Sequence, residues 1–221
     1  FFCEDFNQYL QENISRCDFI QNWLLKHGIE SQKLIIENKS HILVQFNKSH
    51  YNSNYKIKTI ISHYDRSPFS PGANDNSAAN WILMNWCVRL KDLKNFHNIR
   101  IIFTDGEELG FQEGVKEQGA YGIASIFKRL GFVNDDIIVF DACGCGNIPI
   151  LSDTKIAGKA SLDFSFNYKD LFNRIEKLLF SVFQNNWDKI PTSYSDNAAF
   201  ISLGIPAVVI TLLPFEELLL Y

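Results

Sequence analysis

The chain has 221 residues, 46% of them hydrophobic, with 19 Phe, 8 Tyr and 4 Trp and a formal net charge of −4. That length buries a large core as one domain without disulfides, and the apolar and aromatic content excludes intrinsic disorder. No apolar run reaches the ~18–20 residues of a membrane span, and no Lys/Arg stripe suits a nucleic-acid partner.

Five cysteines (Cys3, Cys17, Cys87, Cys143, Cys145) are an odd number, and one Gly separates the last two. Reduced thiols in a cytoplasmic protein are expected. The chain starts at Phe1 without an initiator Met, so residues are expected upstream, and a signal peptide among them is compatible with the sequence.

Residues 5–27 place Phe6, Leu10, Ile14, Phe19, Ile20, Trp23 and Leu24 near helical spacing before Gly28, which predicts one amphipathic helix. Residues 33–37 and 41–46 predict a hairpin around Asn38, Lys39 and Ser40. Short apolar strands then alternate with helices: strands at 56–62, 98–104, 136–140 and 205–211, helices at 77–90, 119–130, 169–185 and 195–203. The pattern predicts a single α/β domain over residues 1–221, with a mixed, mostly parallel central sheet flanked by helices on both faces.

Ligands of such sheets collect beyond the carboxyl ends of the strands. Here those ends carry His63, Tyr64 and Asp65; then Asp105, Glu107 and Glu108; then Asp141, with Asp75 in a Gly72-Ala73-Asn74-Asp75-Asn76 loop between the first two. Each has a plain structural reading: a capped histidine, a turn or N-cap aspartate, a solvated helix start. Asp141 resists it most, because an apolar strand precedes it and a buried charge needs a partner. Carboxylates gathered on one edge repel unless a cation sits among them, and a set with one imidazole suits zinc, cobalt or manganese better than calcium or magnesium.

The ordered strings Ser62-His63-Tyr64-Asp65, Gly72-Ala73-Asn74-Asp75-Asn76, Asp105-Gly106-Glu107-Glu108-Leu109-Gly110 and Phe140-Asp141 resemble the co-catalytic zinc aminopeptidases and their relatives, the glutaminyl cyclases. Ser195-Asp196-Asn197-Ala198-Ala199-Phe200 and Gly204-Ile205-Pro206-Ala207 are similar to the closing helix and strand of that family. The resemblance covers residues 57–214 and implies the zinc-dependent exopeptidase fold, also described as phosphorylase/hydrolase-like. By position it implies two zinc ions, or one, with His63 and Asp141 on one ion, Glu108 on the other and Asp75 between them. Glu107 is then the general base, and Asp65 supports the His63 imidazole. Asp196 is expected to cap its helix, with a role in the site as the minor alternative.

One departure stands out: the family's last ligand is a histidine after the final strand, and none follows Thr211 here. The chain is therefore expected to be incomplete after Pro214, with Glu216 or Glu217 as substitute oxygen ligands if it is not. The resemblance implies a metal-dependent aminopeptidase acting on peptide N-termini through a metal-activated water. The first alternative is a glutaminyl cyclase-like acyltransferase, to which the Asp-Gly-Glu-Glu string and Ala120-Tyr121-Gly122 lean. The second, from another class, is a non-catalytic binding relative with a damaged metal site. No Gly-x-Ser-x-Gly elbow is present, and Gly158-Lys159 lacks the rest of a phosphate loop. Asp75, Glu107, Glu108 and Asp141 together carry as much charge as the whole chain, which predicts that metal removal lowers stability.

Overall fold

The computed structural model describes residues 2–132, 134–153 and 161–220, so Gly158 and Lys159 lie outside the described residues. In chain order the elements are α1 (Phe2–Tyr9), α2 (Arg16–Lys26), β1 (Gln32–Ile36), β2 (Lys39–Gln45), β3 (Lys58–His63), α3 (Ala79–Lys91), β4 (Ile99–Thr104), α4 (Leu109–Glu113), α5 (Gly119–Leu130) and β5 (Asp136–Phe140). β6 (Ile148–Ser152), α6 (Leu162–Phe183), β7 (Asp188–Ile190), α7 (Asn197–Ser202), β8 (Ala207–Leu213) and α8 (Phe215–Leu218) complete the fold.

One eight-stranded sheet runs in the order β1-β2-β4-β3-β5-β8-β6-β7. Its centre is parallel (β4 with β3, β3 with β5, β5 with β8), as is the β6–β7 pair, while β1–β2, β2–β4 and β8–β6 are antiparallel. The sheet is thus the mixed one expected.

Both faces of the sheet are covered because the middle positions of the central strands are runs of Ile, Val and Phe whose side chains point alternately to the two sides. Ile60, Ile101, Ile138 and Val208 pack with α2, α3 and α6, whereas Ile61, Ile102, Ile137 and Val209 pack with α5 and α7. The chain leaves β3 through α3 on the first face to reach β4, then passes over β3 through α5 on the second face to reach β5. β3 is therefore the point where strand order reverses, and crevices open beyond such a point.

The structure differs from the sequence reading in several places, among them the start of α6, at Leu162 instead of residue 169. The expected helix over 5–27 is broken into α1 and α2, because Ser15 adopts an extended backbone and its side chain accepts the Asp18 N–H, starting a new helix. The strands β6 and β7 went unpredicted; both are short and β7 has only three residues, too few for alternation to register. The hairpin turn falls at Glu37 and Asn38, both with positive φ (49° and 63°), one residue earlier than Asn38 to Ser40. Cys17, Cys87, Cys143 and Cys145 are unbridged, and no helix among the described residues is long and apolar enough to cross a membrane.

Candidate metal centre

Parallel pairing in register brings the carboxyl ends of β3, β4 and β5 to one edge: His63 lies opposite Thr104, and Ile61 opposite Val139. His63, fully buried, ends β3, and Asp141 follows β5. Asp75 is delivered by the turn between β3 and α3, where Asp75 (φ −109°, ψ 97°) and Asn76 (φ −129°, ψ 28°) leave helical geometry.

Buried amides fix that turn. Asn76 Nδ2 donates to Ser62 Oγ (3.2 Å) and to the Phe140 carbonyl (2.9 Å), while its Oδ1 accepts from the Ala142 N–H (3.2 Å). Asn80 Nδ2 donates to the His63 carbonyl at 2.8 Å, and Asn74 Oδ1 accepts from the Gly144 and Cys145 N–H groups. The Cys143-Gly144-Cys145 stretch thus forms the wall behind the Asp75 loop, and the buried Cys143 Sγ turns to the Asp141 and Ile210 carbonyls.

His63 Nε2 lies 3.0 Å from Asp75 Oδ1 and 3.5 Å from Asp141 Oδ1. Neither ring nitrogen nor Asp141 Oδ1 makes a hydrogen bond of acceptable geometry, although all three atoms are buried. Ligands ~2.0–2.1 Å from a tetrahedral zinc stand ~3.3 Å apart, so the spacing and the donor set of one imidazole nitrogen with two carboxylate oxygens fit that ion. Among the described residues, His63, Asp75 and Asp141 form the one group close enough to hold a metal.

The remaining predicted residues surround this triad. Asp65 Oδ1 is 3.3 Å from His63 Nδ1, and its two oxygens accept the Glu107 and Glu108 N–H groups at 3.1 and 3.0 Å. Glu108 stands outside the triad, with its carboxylate on Ser67, whose N–H is 2.9 Å from Oε1 and whose hydroxyl is 2.6 Å from Oε2. Glu107 accepts from Gln118 Nε2 at 3.0 Å. Glu216 and Glu217, in α8, are exposed and take no part in the metal-competent group.

Asp196 corrects the sequence reading. It makes no capping bond; it is fully buried, accepts the Thr104 hydroxyl on Oδ2, and leaves Oδ1 without a partner. Its position one residue before the start of α7 suggested a cap, with a site role as the minor alternative, and the hydrogen bond from β4 to α7 gives its carboxylate to Thr104 instead of to the helix N–H groups. Asn76, Asn80 and Gln118 were missed. The one available signal was a buried-helix pattern interrupted by amides at Asn76 and Asn80.

Electrostatics separate the acids into two groups. Burial alone would depress the His63 pKa, but the carboxylates of Asp141, Asp65 and Asp75 outweigh it and hold the ring well above its usual value. Asp141 and Asp65 are in turn kept below the usual carboxylate range, where burial opposes them and His63 prevails. Glu107 goes the other way: burial pushes it up to about 8, against the pull of His63 and with repulsion from Asp196. Burial likewise lifts Asp196 to about 7. A cleft of about 790 Å³ opens over the site, lined by Asp75, Glu107, Glu108 and Asp141 together with Ser193 and Tyr194.

Residues 42–217 match the sequence model of "Peptidase family M28". A 54-residue segment is 41% identical to Aminopeptidase YwaD of Bacillus subtilis (strain 168), covering 24% of this chain and 12% of that protein, well under two thirds of its length. The fold is similar to glutaminyl cyclase of Porphyromonas gingivalis (TM-score 0.70, 17% identity, 98% of this chain and 82% of that one). It is also similar to the LapA aminopeptidase of Legionella pneumophila (TM-score 0.66, 16% identity, 98% and 61%). A third likeness is to BSAP, a zinc aminopeptidase of Bacillus subtilis (TM-score 0.56, 20% identity, 80% and 40%). At these identities the structural likeness is one of fold, and the family assignment rests on the sequence match: the chain belongs to peptidase family M28.

Proposed function

We propose that this chain is a zinc-dependent aminopeptidase that removes residues from peptide N-termini. The observation that carries the reading is the cluster of buried His63, partly buried Asp141 and exposed Asp75, in which both ring nitrogens and Asp141 Oδ1 are buried without hydrogen bonds, beside the partly buried Glu107 in one cleft. His63, Asp75 and Asp141 would hold the tighter ion, and Glu108 would offer its remaining lone pairs to a second, weaker one. A bound divalent ion acidifies water and polarises a substrate carbonyl. Glu107 takes the proton from the attacking water and returns it to the leaving amine. Burial raises the Glu107 pKa, to about 8 in the metal-free site, and a bound cation would bring it back down to where the carboxylate is free to accept a proton. Asp65 fixes the His63 ring and, through two backbone N–H groups, the turn that carries Glu107.

Cyclisation of an N-terminal glutamine is the second reading. It uses the same groups with the substrate's own amine as nucleophile, and the Asp105-Gly106-Glu107-Glu108 and Ala120-Tyr121-Gly122 strings lean towards it. Incubating the zinc-loaded protein with aminoacyl p-nitroanilides and with a Gln-initiated peptide separates the outcomes. Released amino acid, reduced ~10²-fold or more by Glu107→Gln, supports the peptidase. Pyroglutamate without amino-acid release assigns the cyclase, and zinc binding with no turnover of either probe overturns both in favour of a binding protein.

A further inference from the structure

We infer that Gln118 is the positioning residue for Glu107, an inference that rests on the acid–base role proposed for that glutamate. Gln118 Nε2 donates to Glu107 Oε1 at 3.0 Å, which leaves Oε2 as the oxygen available to a proton in transit. Gln118 is 4% exposed, and its own Oε1 is buried without a partner. An unsatisfied buried acceptor opposes stability, and an apolar side chain of the same shape would remove that penalty. The amide is therefore a poor choice for packing and a good one for aiming a carboxylate.

Two glycines seat it. A Cβ on Gly110 would fall 2.4 Å from Gln118 Cγ and 2.7 Å from its Cδ and Nε2, so the bare backbone of α4 is what lets the amide lie flat against it. A Cβ on Gly119 would fall 1.8 Å from the Asp105 carbonyl oxygen, and the Gly119 N–H reaches the Gly106 carbonyl at 3.3 Å. The first turn of α5 is thereby pressed onto the loop that carries Glu107 two residues after Asp105. Glu107 is held from one side by Asp65 through its backbone and from the other by Gln118 through its side chain. Fixing a proton-transfer group within a fraction of an ångström is worth orders of magnitude in rate when substrate binding is unaffected.

The test uses Gln118→Met, which keeps length and shape and removes the donor, and Gly110→Ala, which displaces the amide and leaves it in the sequence. Leucine p-nitroanilide and a Gln-Ala dipeptide are the probes. Both variants are expected to lose about tenfold or more in kcat with KM within about twofold, at unchanged zinc content and at a melting temperature equal to or above the parent's for Gln118→Met. An unchanged kcat, or a loss that accompanies lower zinc content or lower melting temperature in Gln118→Met, overturns the assignment. If the unaltered protein turns over neither probe, the functional reading itself fails. Crystal structures then decide the positioning: Glu107 in one side-chain position in the parent and in several in Gln118→Met supports it, and one position in both overturns it.

Discussion

Ser67 grips Glu108 at both carboxylate oxygens, with its backbone N–H 2.9 Å from Oε1 and its hydroxyl 2.6 Å from Oε2. A carboxylate so engaged keeps a lone pair on each oxygen but has lost the freedom to swing towards the triad of His63, Asp75 and Asp141. Two classes of zinc affinity are therefore expected. Glu108→Gln should leave the tight class within about threefold and abolish the weak one, whereas Asp141→Asn should weaken the tight class by about 10²-fold, because it removes a ligand instead of a neighbour. Competition against a chromogenic chelator reads both, and loss of the tight class in Glu108→Gln would refute this division.

Asp65 serves three clients at once: the His63 ring and the two N–H groups of Glu107 and Glu108. Asp65→Asn places an amide NH2 against at least one of those donors and takes the charge from the imidazole. Zinc affinity should fall about 10–100-fold, the usual cost of losing the group behind a ligating histidine. Turnover at saturating zinc should fall as well, since the Glu107 turn loses an anchor. Activity fully restored by excess zinc would show that Asp65 acts on the metal alone.

The strand-end residues were legible because a parallel sheet turns sequence order into spatial order. His63, Glu107, Glu108 and Asp141 each follow an apolar run, and the register of β3, β4 and β5 makes those run ends neighbours. Asp75 was legible through its Asn-rich loop. Glu108's tie to Ser67, Asp196's contact with Thr104 and the Asn76–Ser62 bond were not, because they span 41, 92 and 14 residues. Such contacts depend on how helices settle on the sheet, and local pattern carries no trace of them. The break at Ser15 was within reach: a serine three residues before an aspartate is a helix-start signal, masked here by an apolar spacing that ran through it.

His41 gives the fold an acid-sensitive point at the root of the loop that carries Glu107. Its ring is buried in β2, Nδ1 accepts the Asp105 N–H at 3.2 Å, and burial lowers its pKa to about 4. The unfolded chain, with an ordinary value near 6.5, binds the proton more readily, so this contribution to stability is complete above about pH 6.5 and is lost as pH falls towards 4. The loss amounts to up to ~3 kcal/mol for the 2.5-unit difference. Asp65 and Asp141, also depressed, add losses of the same sign at lower pH, so the His41 part is isolated by difference. Urea melts at pH 7.5 and 4.5 should show a smaller acid penalty in His41→Leu than in the parent; equal penalties would contradict the burial argument.

Charge balance at the triad governs what metal removal does. Without an ion, the carboxylates of Asp141, Asp65 and Asp75 draw a proton onto His63 and hold its pKa well above the usual value, so the metal-free site carries an imidazolium where the cation would be. That proton offsets part of the repulsion expected from a chain whose net charge equals that of its four site carboxylates. Zinc needs the neutral imidazole, and binding must expel the proton. Calorimetric titration at pH 7 in buffers of different ionisation enthalpy should therefore show at least about one proton released per tight zinc ion, with Glu107 and Asp196, also raised in the metal-free site, adding to the His63 proton. Chelation should still destabilise, since an ion at a thousand times its dissociation constant contributes ~4 kcal/mol and each kcal/mol moves the melting point of a domain this size by ~2–4 °C. A fall of about 10 °C on adding phenanthroline is expected in the parent and only about 3–6 °C in Asp141→Asn, whose site is about 10²-fold weaker. Proton release near zero would mean that His63 is already neutral in the metal-free protein, and the destabilisation on chelation should then exceed that figure, because nothing would shield the carboxylates from one another.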